Sequence, residues 1–148
     1  MLHPATSARI SIAHTQGLGM LALSPFRVGI DVERVRALDV AEVEAPVLTA
    51  AERLAVRALP EGPSRTAAFL RCWTRKEAVC KALGIGITTD LTALESHGWT
   101  PGPAHTTTTA LDSVRTWRMA DVPVPEGWTA SLALPAGADR PPSVRRLG

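Results

Sequence analysis

Lysine is nearly missing from this chain of 148 residues: it occurs twice, at Lys76 and Lys81, while arginine supplies the other basic side chains. Two lysines placed five positions apart in an otherwise lysine-free sequence mark the segment Trp73 to Lys81 as one where an ammonium group has a purpose. Cysteine is also scarce. Cys72 and Cys80 sit two turns apart on one predicted helix, about 12 Å of rise, too far for a mutual disulfide, and reduced thiols fit a cytosolic protein. No run of about eighteen apolar residues exists, which excludes an ordinary membrane-spanning helix. The apolar stretch Gly17 to Ser24 is too short and too far along the chain for a secretion signal, so a cytoplasmic location is expected. A basic stripe is absent as well. The formal net charge is only +2 and the arginines are scattered, so nucleic acid is not the expected partner.

What remains is the composition of a globular protein, 45% hydrophobic and 20% charged, with a length that predicts one domain. Arg9 to His14, Leu18 to Leu23 and Arg27 to Val35 read as three successive strands with turns between them. Thr49-Ala50-Ala51-Glu52 is a capping-box pattern and predicts a helix to about Leu59, stopped by Pro60. Ser64 reads as the cap of a longer helix ending at Leu83, with Gly84 as terminator. Leu91 to Leu94 reads as extended, and Val114 to Met119 and Trp128 to Leu134 as two further strands. The expected fold class is α+β, an antiparallel sheet packed on one long helix plus a shorter one, over residues 1–135. Residues 136–148, rich in Pro, Gly and Arg, are expected to fray.

Alternation in Val28-Gly29-Ile30-Asp31-Val32-Glu33 puts Asp31 and Glu33 on one strand face, where they repel each other with nothing basic between them. A hard divalent cation relieves that repulsion, and magnesium is commonly held by a few carboxylates together with substrate phosphates. On the long helix, Phe69, Cys72, Trp73, Val79, Cys80 and Leu83 form an apolar stripe, with Glu77 and Lys81 one turn apart at its edge. Lys76 falls within the stripe, so its ammonium must reach water or meet an anion. An exposed Glu77–Lys81 pair alone would contribute only about 0.3–0.5 kcal/mol. His14 ends the first strand, whereas His3, His97 and His105 sit in no pattern. The four tryptophans read as core or interface residues.

Gly29-Ile30-Asp31-Val32-Glu33 followed by Trp73-Thr74-Arg75-Lys76-Glu77-Ala78-Val79-Cys80-Lys81-Ala82-Leu83-Gly84 resembles the paired motifs of the 4'-phosphopantetheinyl transferases. Those are G-(I/V)-D-(I/V)-E and W-x-x-K-E-(A/S)-x-x-K-x-x-G, matched here at every specified position. Ser11-Ile12-Ala13-His14-Thr15 is similar to the S-x-S-H-S segment of the surfactin-synthetase-activating type, with Ala13 and Thr15 in place of serines. The resemblance implies a single transferase-like unit in which coenzyme A donates its phosphopantetheine arm to a serine of an apo acyl or peptidyl carrier protein. It implies magnesium on Asp31, Glu33 and Glu77, with Glu77 and Lys81 catalytic. His14, Lys76 and Lys81 would contact the coenzyme A phosphates. The two-copy branch binds coenzyme A between two such units, and this chain has the length of one. Self-association as a dimer or trimer is therefore expected, the alternatives being a partner that supplies the missing half or a shortened relative with impaired activity. The competing reading is a noncatalytic module that binds coenzyme A or a carrier protein.

Overall fold

The computed structural model describes residues 8–84, 90–110 and 113–147. Three strands open the chain: β1 (Arg9–Thr15), β2 (Leu18–Ser24) and β3 (Gly29–Arg34). Three helices follow, α1 (Val40–Val43), α2 (Ala50–Arg57) and α3 (Pro63–Leu83). A 3-10 turn at Leu91–Ala93 leads to β4 (Ala104–Ala110), β5 (Ser113–Asp121), β6 (Trp128–Pro135) and β7 (Ser143–Leu147). The strands form two antiparallel sheets, ordered β1-β2-β7 and β3-β6-β5-β4. The class is α+β, as the sequence predicts.

The capping box at Thr49 forms in full: Thr49 Oγ1 accepts from Glu52 N, and Glu52 Oε1 accepts from Thr49 N. Other local expectations are corrected. Helix α3 starts with Gly62 at the cap and Pro63 in the first turn, rather than at Ser64, because proline's fixed φ is already helical and its missing N–H is not needed there. Leu91–Ala93 is a 3-10 turn and not an extended segment, since the Asp90 side chain caps it by accepting from Thr92 N. Residues 143–147, in the segment expected to fray, pair with β2 instead. Gly84 ends α3 in the left-handed conformation (φ 76°), as its position predicts.

Helix α3 crosses β3 at Gly29. A Cβ on Gly29 would stand 1.7 Å from the Ala78 carbonyl oxygen and 2.8 Å from Ala82 N. No side chain fits there, so glycine sets the closeness of helix and strand. Ala78, Val79 and Ala82 pack on Trp117, Met119 and Ala133 of the sheet, and Thr74 is hydrogen-bonded to Ser131 of β6 at 2.7 Å. The opposite side of α3 is buried too. There Phe69, Leu70 and Cys72 meet Val47, Leu48 and Val56, so the helix is enclosed rather than carrying one apolar stripe. A third cluster, including Met20, Ile30, Val32 and Leu134, fills the space between the sheets.

Candidate functional site

Helix α3 delivers Trp73, Glu77 and Lys81 at four-residue intervals, hence on one face, against the strand carrying Asp31 and Glu33. The Lys81 ammonium donates to Asp31 Oδ1 at 3.2 Å and to the carbonyls of Ile30 at 3.0 Å and Ile12 at 3.3 Å. It thereby ties α3 to both β3 and β1. Strand β1 also meets β3 through Ile30 N, which donates to Ser11 Oγ at 3.0 Å. Trp73 Nε1 donates to Glu33 Oε1 at 3.0 Å, and Arg36 Nη1 donates to Glu33 Oε2 at 3.3 Å.

Burial and neighbouring acids control the charge of this cluster. Desolvation pushes the Asp31 carboxyl up to about 7; Lys81 opposes that by charge and hydrogen bond, and Glu33 and Glu77 add to it. Glu77 is raised as well, by desolvation first, with Lys81 opposing and Glu33 adding. Glu33 and Glu77 thus stand close enough to disfavour the ionisation of Asp31, and Glu33 that of Glu77. Asp31 Oδ2 is buried with no hydrogen-bond partner among the described residues. A buried carboxylate oxygen left bare costs free energy unless a cation or donor meets it.

Among the described residues, no three His, Cys, Asp or Glu side chains are gathered into a preassembled metal-binding group. Asp31 is held by Lys81, and Glu33 by Trp73 and Arg36. The donor set nevertheless suits a hard cation: it is all oxygen, its members repel, and one buried oxygen is unused. Beside Glu33 lies a cavity of about 380 Å³ walled by Leu38, Val43, Phe69, Leu70 and Trp73.

A family model described as the 4'-phosphopantetheinyl transferase superfamily matches residues 27–133, which takes in β3, α3 and most of β6. The chain belongs to that superfamily. No curated protein matches it. Membership makes it a transferase of the phosphopantetheinyl type, in a family that uses coenzyme A as substrate. Among the described residues no helix is long and apolar enough to cross a membrane.

The superfamily's motif residues are not all in the site. Asp31, Glu33, Glu77 and Lys81 come together. His14 stands exposed at the end of β1, two residues beyond the Ile12 carbonyl that Lys81 holds. Lys76 is fully buried on another side of α3, where its ammonium donates to Glu52 Oε1 and to the carbonyls of Val47 and Leu91. With lysine and glutamate both fully buried, this ammonium is out of reach of a phosphate, so its expected contact with coenzyme A is corrected to a structural one. The anion that the apolar surroundings of Lys76 require is Glu52.

Three contributors escape a reading of the sequence. Trp73 reads as core, yet its indole steadies Glu33; the four-residue spacing to Glu77 and Lys81 is the signal that it shares their face. Arg36 carries no local signal beyond standing three residues after Glu33. Arg75, fully buried, donates to the carbonyls of Ser96, His97 and Gly102 and to Asp121, fixing the segment after the 3-10 turn.

Proposed function

We propose that the protein transfers the 4'-phosphopantetheine group of coenzyme A to a serine of an apo acyl or peptidyl carrier protein, in a magnesium-dependent reaction. The observation that carries this reading is the buried, unpartnered Asp31 Oδ2 inside a cluster of three repelling carboxylates. Asp31, Glu33 and Glu77 would hold the magnesium, which supplies charge neutralisation on the pyrophosphate oxygens when bound. Lys81, one-third exposed, keeps its ammonium at the edge of the cluster where phosphate oxygens gain charge. His14 contributes a further donor from β1.

The serine hydroxyl attacks the β-phosphorus of coenzyme A. A bond forms between the serine oxygen and phosphorus, the bond from phosphorus to the bridging oxygen breaks, and adenosine 3',5'-bisphosphate leaves with that oxygen. Glu77, raised by desolvation and therefore a better base than an exposed glutamate, takes the serine proton. The apolar cavity beside Glu33 gives room for the uncharged part of the substrate. Self-association belongs to the same reading: Ile10 and Ile12 stand 56% and 51% exposed on β1, a strand that Lys81 holds through the Ile12 carbonyl. Sedimentation of an active sample as a strict monomer would remove that part.

Mixing the protein with coenzyme A, magnesium and several apo carriers tests the reaction itself. The expected result is a carrier heavier by one phosphopantetheine arm, and loss of that gain in Glu77→Gln with the fold retained. Thermal stabilisation by coenzyme A with no transfer to any carrier would instead support the noncatalytic module.

A further inference from the structure

Arg36 follows the end of β3 and is spent on one contact of consequence, its 3.3 Å ion pair with Glu33 Oε2. Its side chain is 50% exposed against 22% for Glu33, and its other bond is to the neighbouring Arg34 carbonyl at 2.8 Å. Both Glu33 oxygens are therefore occupied, one by the Trp73 indole and one by a half-exposed arginine. A cation bound by Glu33 must compete with the second. Arg36 also lies on the rim between two cavities, the one beside Glu33 and a neighbour formed with Val35, Leu38, Pro63 and Thr66. Its guanidinium therefore has space to swing.

We infer that Arg36 is a place-holding cation: it neutralises Glu33 while the site is empty and passes to a substrate phosphate when a divalent metal takes Glu33. The inference rests on reading the acid cluster as a cation site. Charge counting favours the exchange. Asp31, Glu33 and Glu77 carry −3 when ionised, and Lys81 and Arg36 return +2, leaving −1; a divalent cation makes the site +1, ready for the pyrophosphate anion. Glu33 would hold the metal on the side of its carboxylate that Arg36 now pairs, so the released guanidinium would be available to a phosphate there. Arginine's planar fork suits a phosphate better than it suits one carboxylate oxygen at 3.3 Å.

Calorimetric titration of the purified protein with Mg2+ alone, and then of the Mg2+-loaded protein with coenzyme A, tests this in wild type, Arg36→Gln and Arg36→Lys. Arg36 is half-exposed and outside the core, so both variants fold. Removing the competing charge should tighten Mg2+ about two- to fivefold, the worth of an exposed ion pair. The same variant should bind coenzyme A about tenfold more weakly, and Arg36→Lys should bring Mg2+ affinity back toward wild type. Mg2+ binding that is unchanged or weaker in Arg36→Gln overturns the inference and leaves the metal site standing. Tighter Mg2+ with unchanged coenzyme A overturns the hand-over. No Mg2+ binding by any of the three proteins overturns the cation site itself, and the inference with it.

Discussion

Lys76 and Lys81 lie five residues apart on one helix, and each donates to an acid and two backbone carbonyls. Their surroundings differ in what is left over. Around Lys76 nothing is: Glu52 Oε1 also accepts from Thr49 N, and Glu52 Oε2 accepts from both the N–H and the hydroxyl of Ser96, with lysine and glutamate fully buried. Around Lys81 the lysine is one-third exposed, the Asp31 carboxyl stands near neutral pH, and Asp31 Oδ2 is bare. A saturated charge network has no valence to offer a ligand and can only hold the fold. An unsaturated one is costly in the free protein and is repaid when something binds. Residue type and motif position are alike at the two lysines; saturation of the partner oxygens tells site from scaffold.

The sharpest way to break that comparison is to remove each ammonium in turn. Lys76→Met leaves Glu52 ionised and buried without a counter-charge, and should lower unfolding stability by about 3–5 kcal/mol. Lys81→Met breaks a partly exposed pair whose acid can take up a proton instead of staying charged, and should cost less than Lys76→Met, about 1–2 kcal/mol, while slowing transfer to the carrier about a hundredfold or more. Urea denaturation and carrier loading measure the two quantities separately. Equal losses of stability in the two variants would erase the distinction between them.

Gly29 tests what brings the unsaturated side together. In Gly29→Ala the new methyl meets the Ala78 carbonyl at 1.7 Å, so α3 must lift off β3. A loss of about 3 kcal/mol or more is expected, and transfer should fall further than stability does, because Glu77 and Lys81 move with the helix. A soluble, folded Gly29→Ala protein with wild-type loading would show that the close crossing is unnecessary for the site.

These sites were unequally legible in the sequence. The saturated side shows its acceptor in the capping box, since Thr49 and Glu52 announce themselves, but not that Glu52 reaches Lys76. That contact joins residues far apart in the chain, and no local pattern encodes it. The same holds for Ser96, which enters through the turn that Asp90 caps. The unsaturated side is better written: strand alternation fixes Asp31 and Glu33 on one face, and helical spacing fixes Glu77 and Lys81 on another, although Trp73 reads as core. Elements without an apolar rhythm were lost. Strand β4 is four threonines between His105 and Ala110, β7 carries two arginines, and α1 is a single turn too short for any period to show.

The effect most specific to the unsaturated side is the pH dependence that Asp31 imposes. With its folded value raised to about 7 from the ordinary aspartate value of about 3.9, the native state keeps a proton that the unfolded chain has already lost between those two values. The slope of stability with pH is set by protons bound unfolded minus protons bound folded, which is negative here. Stability from this group is therefore fully present below about pH 4 and drains away as pH rises to 7. Asp31→Asn removes the titration, keeps an oxygen for Lys81, and should make the metal-free protein more stable than wild type at pH 8 by about 1–3 kcal/mol. The advantage should vanish at pH 4 and shrink at pH 8 when saturating magnesium stabilises wild type alone. Paired denaturation curves at the two pH values measure it. An Asp31→Asn protein less stable than wild type at pH 8 without magnesium would mean that Asp31 is as well satisfied as Glu52, and the contrast between the two lysines would lose its basis.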